Sequence, residues 1–172
     1  MYKLKELTND EFDEFSKNYN ISTVYQTSQY ALTMNNQDYD SILLGLVDSN
    51  DIIQAATLIL ITNNRKFKFA YSPRGYLIDY RNEELVTLFT SFIKEYLNKN
   101  NVVTLKINPP IFKTIYYIKE NNIYKNNYYD HILNFLISLG YKHLGYNSYF
   151  EGIRPRFEAV INLESDEKDI FD

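Results

Sequence analysis

YSPRGYLIDYRNEEL, residues 71–85, is the stretch from which the fold can be predicted. An alternating apolar run ends at Tyr71, and the Pro-Arg-Gly sequence that follows it is typical of a tight turn. Gly75 suits such a turn because glycine accepts a positive φ and allows other groups to approach the backbone closely. Asn82 is a typical helix N-cap, and the two glutamates after it complement the helix dipole. The stretch therefore predicts a strand, a turn that carries Arg74, and the start of a helix.

The predicted helix is long and amphipathic, and it runs to about residue 99. Apolar side chains recur along it at helical spacing: Leu85, Leu88, Phe89, Phe92, Ile93 and Tyr96. A short apolar strand at residues 102–107 follows and is ended by Asn108 and the pair Pro109-Pro110. A strand, a helix and a strand of these lengths predict two parallel strands joined by a right-handed crossover.

Three apolar or alternating runs precede the turn and predict an antiparallel meander. The runs are residues 40–47, 52–61 and 65–71, and the segments between them are DSND at 48–51 and TNN at 62–64. Asp, Asn and Ser favour turns, so the two segments are expected to form hairpins.

The first 35 residues predict a short strand followed by two helices. The strand is expected at residues 4–7, and Thr8 with Glu11 forms a capping-box pattern for a helix that ends near residue 19. The second helix is expected over residues 27–35, where Tyr30 and Met34 share one face.

The last third of the chain predicts one further helix and two further strands. Residues 112–127 have a poor pattern and are expected to be partly helical, with a polar loop at 120–127. A helix is expected over 129–139, closed by Gly140, and strands over 149–153 and 157–163. Ser165 and the acidic residues after it predict the start of another helix. The order of elements predicts an α/β (α+β) fold, a mixed and mostly antiparallel sheet flanked by helices, which is the GNAT-type acyltransferase layout.

Composition excludes several classes of protein. The 172 residues include no cysteine, so disulfides, zinc thiolate sites and thiol nucleophiles are excluded. A formal net charge of −4 argues against a surface that binds nucleic acid over the whole chain. The first residues contain no apolar signal segment, and no run approaches the 18 or so apolar residues of a membrane span. We therefore expect a globular protein in the cytoplasm.

Arginines are the best candidate substrate-binding residues, because a guanidinium fork matches carboxylate and phosphate groups. The candidates are Arg74 in the turn, and Arg154 and Arg156, which flank Pro155 and so share one strand face. Alternatively, Arg74 forms an ion pair with Asp79 or is a solvated turn charge, and the other two lie on a solvated face.

Other site signals are weak. His131 and His143 have no serine or metal ligand in reach along the sequence and are expected to be structural or surface residues. No metal or cofactor is predicted, since the HExxH, GxSxG and phosphate-binding glycine patterns are missing. The loop before the long helix contains one glycine and leads into two glutamates, which disfavours the pyrophosphate of acetyl-CoA.

Six motifs give the sequence a more specific resemblance. They are QTSQYA at 26–31, YSPRG at 71–75, DYRNEEL at 79–85, INP at 107–109, LGY at 139–141, and RPRF with VINL at 154–163. In this order they resemble the FemA/FemX (FemABX) family of peptidoglycan interpeptide-bridge aminoacyltransferases. Members consist of two GNAT-like subdomains, and the second bears a helical arm for tRNA. The resemblance implies that residues 1–164 are the first subdomain and that 165–172 begin the connector helix to a second one.

The resemblance also implies a function. Family members use aminoacyl-tRNA to add amino acids to the stem peptide of a peptidoglycan precursor, either lipid II or the UDP-MurNAc-peptide. The chain is then the precursor-facing part, inactive alone, whose second subdomain would bind the tRNA and whose surface could face the membrane. Some members have a Lys at the position of Met34 and an Asp at that of Asn108, implicated in precursor binding and proton transfer.

This sequence departs from the family at both of those positions. Met34 has no charge to offer a phosphate, and the amide of Asn108 cannot accept a proton, although its carbonyl oxygen could orient an amine. Two other functions therefore stay open. One is a catalytically silent module that binds a cell-wall peptide or a protein, and the other is an acetyl-CoA-dependent N-acetyltransferase.

Overall fold

The computed structural model of the protein describes residues 1–62, 67–117 and 122–145. The chain divides into two compact units, Met1–Tyr141 and Lys142–Asp172. In the second unit only residues 142–145 are described, so the strands predicted at 149–163 and the helix predicted from Ser165 lie outside the described residues. The boundary expected after residue 164 stays a prediction.

The first unit is built on a mixed five-stranded sheet. Its strands, hydrogen-bonded in sequence order, are β1 (Lys3–Glu6), β2 (Tyr39–Val47), β3 (Ile53–Thr62), β4 (Lys68–Ser72) and β5 (Val102–Ile107). The pairs β1–β2, β2–β3 and β3–β4 are antiparallel, and β5 runs parallel to β4. The predicted meander and the predicted parallel crossover are therefore both confirmed.

Within the described residues, four helices flank this sheet: α1 (Asn9–Lys17), α2 (Ser28–Asn35), α3 (Glu83–Lys99) and α4 (Tyr129–Ser138). The predicted capping box at α1 is present, with the Thr8 amide donating to the Glu11 carboxylate at 2.9 Å and the Glu11 amide donating to Thr8 Oγ1 at 3.3 Å. The end of α4 is a Schellman motif, in which Gly140 has a φ of +89° and the Tyr141 amide donates to the Leu136 carbonyl. Local sequence signals therefore set both helix ends.

Side chains alternate along the central strands, so that the sheet has an apolar core on each face. On one face, Ile59 and Ile61 of β3 pack with apolar residues of α3 and α4. On the other face, Leu58 and Leu60 pack with Phe12 of α1 and with residues of α2. The turn after β4 is thus held between two packed layers.

The prediction for residues 112–127 is wrong. These residues contain a separate antiparallel hairpin formed by β6 (Thr114–Tyr117) and β7 (Asn122–Lys125). Its strands are made largely of isoleucine and tyrosine, which favour extended backbone over helix. Asn126 closes the base of the hairpin, because its amide group and its backbone N–H donate to the carbonyls of Phe112 and Lys113, each at 3.0 Å.

Three tyrosines lie together between the sheet and α3. The Tyr76 and Tyr141 hydroxyls are 2.8 Å apart, and the Tyr76 amide donates to the Tyr80 hydroxyl at 2.6 Å. Tyr76 and Tyr80 are 1% and 6% exposed, and burial raises the pKa of both phenols well above 10. Neither phenol can ionise without a large cost while the chain is folded.

Stability is therefore expected to fall at alkaline pH. Above pH 10 the unfolded chain releases the protons of Tyr76 and Tyr80 while the folded chain keeps them, so each residue lowers the unfolding free energy by about 1.4 kcal/mol per pH unit. Urea denaturation between pH 9 and 11.5 measures this slope. Tyr116→Phe, at an exposed tyrosine, should leave the slope unchanged. An unfolding free energy that stays constant up to pH 11 would contradict the burial of these phenols.

Candidate substrate-binding site

Arg74 and Asn108 meet where the parallel strands β4 and β5 end. The register of the two strands runs to Ser72 opposite Ile107, so the residues that follow both strands lie side by side. The Arg74 amide donates to Asn108 Oδ1 at 2.8 Å, and the Tyr71 hydroxyl donates to the same oxygen at 3.1 Å. In sheets with parallel strands, ligands commonly bind at this carboxyl end. We call Tyr71, Arg74, Lys106 and Asn108 the β4–β5 corner.

The turn that carries Arg74 has an unusual backbone. Arg74 itself takes the positive φ, +52°, and the peptide bond between Gly75 and Tyr76 is cis. Gly75 instead provides close approach, since a Cβ there would lie 1.9 Å from Ser72 Oγ and 2.9 Å from Thr57 Oγ1. Of the two reasons for a glycine that the sequence offers, close approach is the one that applies.

Gln26, the first residue of the QTSQYA motif, anchors this turn from the opposite face of the sheet. It lies in a short 3-10 helix, Val24–Gln26, and is fully buried. Its Nε2 donates to the Pro73 carbonyl at 2.6 Å, and its Oε1 accepts from the Leu58 amide at 2.8 Å. Ser16 of α1 adds a hydrogen bond to the Gln26 carbonyl at 2.5 Å. The motif therefore positions the turn that presents Arg74.

Replacing Gln26 by leucine is expected to destabilise the chain by about 2 to 4 kcal/mol. The side chain keeps its approximate volume, but the Pro73 carbonyl and the Leu58 amide lose their partners in a buried place. Gln29→Leu is the matched control, because Gln29 is exposed on α2, and its effect should be within about 0.5 kcal/mol. Equal unfolding midpoints for the two variants in urea would refute the anchoring role.

The side-chain oxygen of Asn108 is less available to a ligand than the sequence suggests. Its Oδ1, the atom expected to orient an amine, already accepts two hydrogen bonds from the protein. A carbonyl oxygen has two lone pairs, so both are in use. Asn108 therefore holds the turn against β5, and the amide nitrogen is the part of the group that remains to face a ligand.

Met34, which is also a predicted site residue, lies outside the corner. Met34 packs, half-buried, against the apolar cluster that includes residues of α1 and α2. Asp79, which the sequence offers as a partner for Arg74, accepts a hydrogen bond from the Arg81 amide at 2.9 Å. Arg154 and Arg156 lie outside the described residues, and their place in a shared site stays a prediction.

Sequence reasoning missed two members of the corner, Tyr71 and Lys106. Lys106 stands opposite Tyr71 in the strand register, and its ammonium lies 5.6 Å from the centre of the Tyr71 ring. The corner therefore contains two residues with cationic side chains, Arg74 and Lys106, at one end of the sheet. Their separation of 32 residues hides this in the sequence, although a correct β4–β5 register would have revealed it.

Two further findings concern the described residues as a whole. Across residues 1–62, 67–117 and 122–145, no three His, Cys, Asp or Glu side chains gather as a metal site would require. Among the helices of that same portion, none is both long enough and apolar enough to cross a bilayer.

His131 Nε2 lies 2.6 Å from Glu83 Oε1 on the surface, which confirms its assignment as a surface histidine.

Comparison with known proteins gives consistent matches. The model of the FemAB family matches residues 7–172. Aminoacyltransferase FemA of Staphylococcus epidermidis is 31% identical over 158 residues, which cover 91% of this chain and 35% of that protein. FemA of Staphylococcus aureus (strain bovine RF122 / ET3-1) is 30% identical over 165 residues, covering 94% and 39%. The chain spans little more than a third of the length of these curated relatives.

Solved structures give the fold. The crystal structure of FemX matches with a TM-score of 0.66 and 23% identity, over 83% of this chain and 33% of that one. The aminoglycoside 6′-N-acetyltransferase AAC(6′)-Ih of Acinetobacter baumannii matches with a TM-score of 0.51 and 10% identity, over 94% of this chain and 100% of that one. These likenesses confirm the predicted GNAT-like fold.

Proposed function

Because the chain belongs to the FemAB family, we propose that it is the precursor-binding part of an aminoacyltransferase that acts in the synthesis of peptidoglycan. The reaction would transfer an amino acid from aminoacyl-tRNA to the stem-peptide amine of lipid II or of the UDP-MurNAc-peptide. The relatives named as aminoacyltransferases are the main support for this activity. The observation that carries the role of this chain is the β4–β5 corner, where the Arg74 amide binds Asn108 Oδ1 and Lys106 lies two residues before Asn108.

The corner suits an anionic ligand. Both forms of the precursor carry phosphate and carboxylate groups, and an Arg fork binds such groups through paired hydrogen bonds. Arg74 is fixed through its own backbone, since its amide is bound to Asn108 at 2.8 Å. A fixed backbone lowers the entropy that the guanidinium loses when it binds. We propose that Arg74 is the main anchor, that Lys106 adds a second positive charge, and that Arg154 and Arg156 extend the site.

The corner is better suited to binding than to proton transfer. The amine must lose a proton as it attacks the ester carbonyl, and the amide of Asn108 cannot accept it. Met34 packs in an apolar cluster and brings no charge. We therefore propose that the proton passes to water or to a group of a second, tRNA-binding subdomain, joined to residues 1–164 through a helix that begins at 165–172. The proposed location is the cytoplasm, at its boundary with the membrane.

Amino-acid transfer tests this function. The intact gene product, incubated with charged tRNA and either lipid II or the UDP-linked precursor, should yield a precursor with one or more added amino acids. Residues 1–172 alone should bind the precursor without transferring anything to it. Failure of the intact gene product to incorporate an amino acid from any charged tRNA would contradict the proposed activity.

Binding without catalysis is the second candidate function. It is favoured by the two protein donors that occupy Asn108 Oδ1 and by the apolar surroundings of Met34. Precursor binding that depends on Arg74, together with no transfer by the intact gene product, would select this candidate. Acetyl transfer is a weaker alternative, since α3 starts with Glu83 and Glu84 rather than with a glycine-rich loop. Saturable binding of acetyl-CoA would favour it.

Substitutions of Asn108 separate its structural role from a chemical one. Asn108→Asp keeps an oxygen for the Arg74 amide and the Tyr71 hydroxyl, so stability at pH 7 should change by less than about 1 kcal/mol. Asn108→Ala removes the acceptor and should cost about 1 to 3 kcal/mol. Urea denaturation at pH 7 measures both values. If the alanine variant is as stable as the aspartate variant, Asn108 does not hold the turn.

A further inference from the structure

The β6–β7 hairpin exposes aromatic side chains on both of its faces. Tyr116 and Ile123 are directly opposite each other on one face, and they are 63% and 53% exposed. Tyr117 and Tyr124 lie on the other face and are 47% and 49% exposed. Large apolar groups clustered in this way on a surface mark a contact site.

The hairpin has little support from the rest of the fold. Among the described residues its two strands pair only with each other, apart from the main sheet. Asn126 ties its base to Phe112 and Lys113. A two-stranded hairpin is at best marginally stable in water, so a surface that buries its aromatic residues would also stabilise it.

We infer that this hairpin binds the surface of an anionic lipid bilayer through Tyr116, Tyr117, Ile123 and Tyr124. Tyrosine favours the headgroup region of a bilayer, because its ring is apolar and its hydroxyl stays hydrated. A flat protein partner would cover one face of the hairpin and leave the other in water. A bilayer surface surrounds the inserted residues and covers both faces.

The charge of the hairpin segment favours binding to an anionic surface. Over residues 111–129 the sequence has three lysines, Lys113, Lys119 and Lys125, and one acidic residue, Glu120, although the whole chain has a net charge of −4. Lys113 also lies 3.6 Å from Asp130 on α4, so Lys125 is the lysine with the clearer role. Each lysine near an anionic membrane contributes about 1 kcal/mol of attraction.

The length of the hairpin limits its depth. Strands of four residues are about 13 Å long, and the outer edges of a two-stranded sheet carry backbone groups without strand partners. Such groups are too costly to place in hydrocarbon. The hairpin therefore binds at the headgroup level and does not span the bilayer.

This inference deepens the proposed function, on which its biological meaning rests. A protein held at a bilayer would meet the lipid-linked precursor rather than the nucleotide-linked one. Vesicles that contain no precursor test the hairpin alone, so membrane binding and precursor binding can fail independently.

Vesicle sedimentation with residues 1–172 measures the binding. Vesicles with about a third phosphatidylglycerol should bind the chain, and vesicles of phosphatidylcholine alone should bind it at least about threefold more weakly. The double variant Tyr116→Ser/Tyr124→Ser should reduce partitioning into the anionic vesicles by about tenfold. The matched control is Val24→Ser/Ile137→Ser, which removes two exposed apolar side chains outside the hairpin and should bind as the parent does.

A fluorescence probe keeps the test valid if the double variant is poorly folded. The chain contains no tryptophan, so Tyr117→Trp places a single tryptophan in the hairpin, and it can be excited at wavelengths that tyrosine does not absorb. Its emission should shift to the blue when anionic vesicles are added. No sedimentation with anionic vesicles, an unshifted emission spectrum, or an equal loss of binding in the control variant would overturn the inference. A shift that depends on protein concentration without vesicles would also overturn it, in favour of self-association.

Discussion

Gly75→Ala is expected to destabilise the chain by about 3 kcal/mol or more, which is beyond the usual cost of an overpacked position. A Cβ at this position would lie 1.9 Å from Ser72 Oγ, 2.9 Å from Thr57 Oγ1 and 3.1 Å from Gln26 Nε2. Ser72, Thr57 and Gln26 are fully buried, and the first two share a hydrogen bond of 2.7 Å. The atoms therefore have little room to move, and the turn must shift.

Urea denaturation compares this variant with two others. Gly140→Ala makes the same chemical change at a φ of +89°, where a Cβ would lie 3.4 Å from Lys94 Nζ, and it should cost about 1 to 2 kcal/mol. Ser72→Ala removes the atom of closest overlap, so the double variant Gly75→Ala/Ser72→Ala should be more stable than the sum of the single effects predicts. If the two effects are additive, the overlap with Ser72 Oγ is not the cause.

Arg74→Gly is expected to weaken binding of the UDP-linked precursor roughly 10- to 100-fold with little effect on folding. The loss corresponds to one charge-assisted contact of about 1.5 to 3 kcal/mol. Glycine suits this position because the backbone has a φ of +52°, which costs a non-glycine residue about 1 kcal/mol or more. Stability should therefore change by no more than about 1 kcal/mol, since the strain relieved offsets the greater flexibility of the unfolded chain.

On residues 1–172, titration calorimetry measures the affinity for the precursor and scanning calorimetry measures the stability. Arg81→Gly is the control for charge, because Arg81 is exposed in the same loop and lies 4.8 Å from the Tyr128 ring rather than in the corner. Arg74→Lys tests the fork, since a lysine keeps the charge but not the paired donors, and it should bind more weakly than the parent. Equal affinities for the parent and Arg74→Gly would remove Arg74 from the site.

Local signals allowed much of the fold to be predicted. The Thr8 capping box and the glycine end of α4 each involve residues close together in the sequence, and both are present as expected. The parallel crossover followed from the length of α3 and the strands beside it. The segment 112–127 has a poor hydrophobic pattern and was predicted to be partly helical, whereas the β-branched and aromatic composition of its strands favours the hairpin.

The site was less predictable because it depends on contacts between distant residues. Arg74 was identified from the chemistry of its side chain, but the hydrogen bond from its amide to Asn108 joins residues 34 apart. The role of Gln26 depends on a contact across 47 residues, so the sequence predicted no role for this residue beyond its place in a motif. Helix and strand patterns report which face a residue occupies, and they carry no information on such partners.

The most direct test is where the precursor binds. A titration of residues 1–172 with the UDP-linked precursor, followed by ¹H–¹⁵N correlation spectra, reports on the Arg74 backbone amide and on the Asn108 side-chain amide separately. We expect the largest shifts at these two groups and at Lys106. Saturable shifts confined to other surfaces, with the Arg74 and Asn108 signals unmoved, would contradict the assignment of the β4–β5 corner as the precursor site.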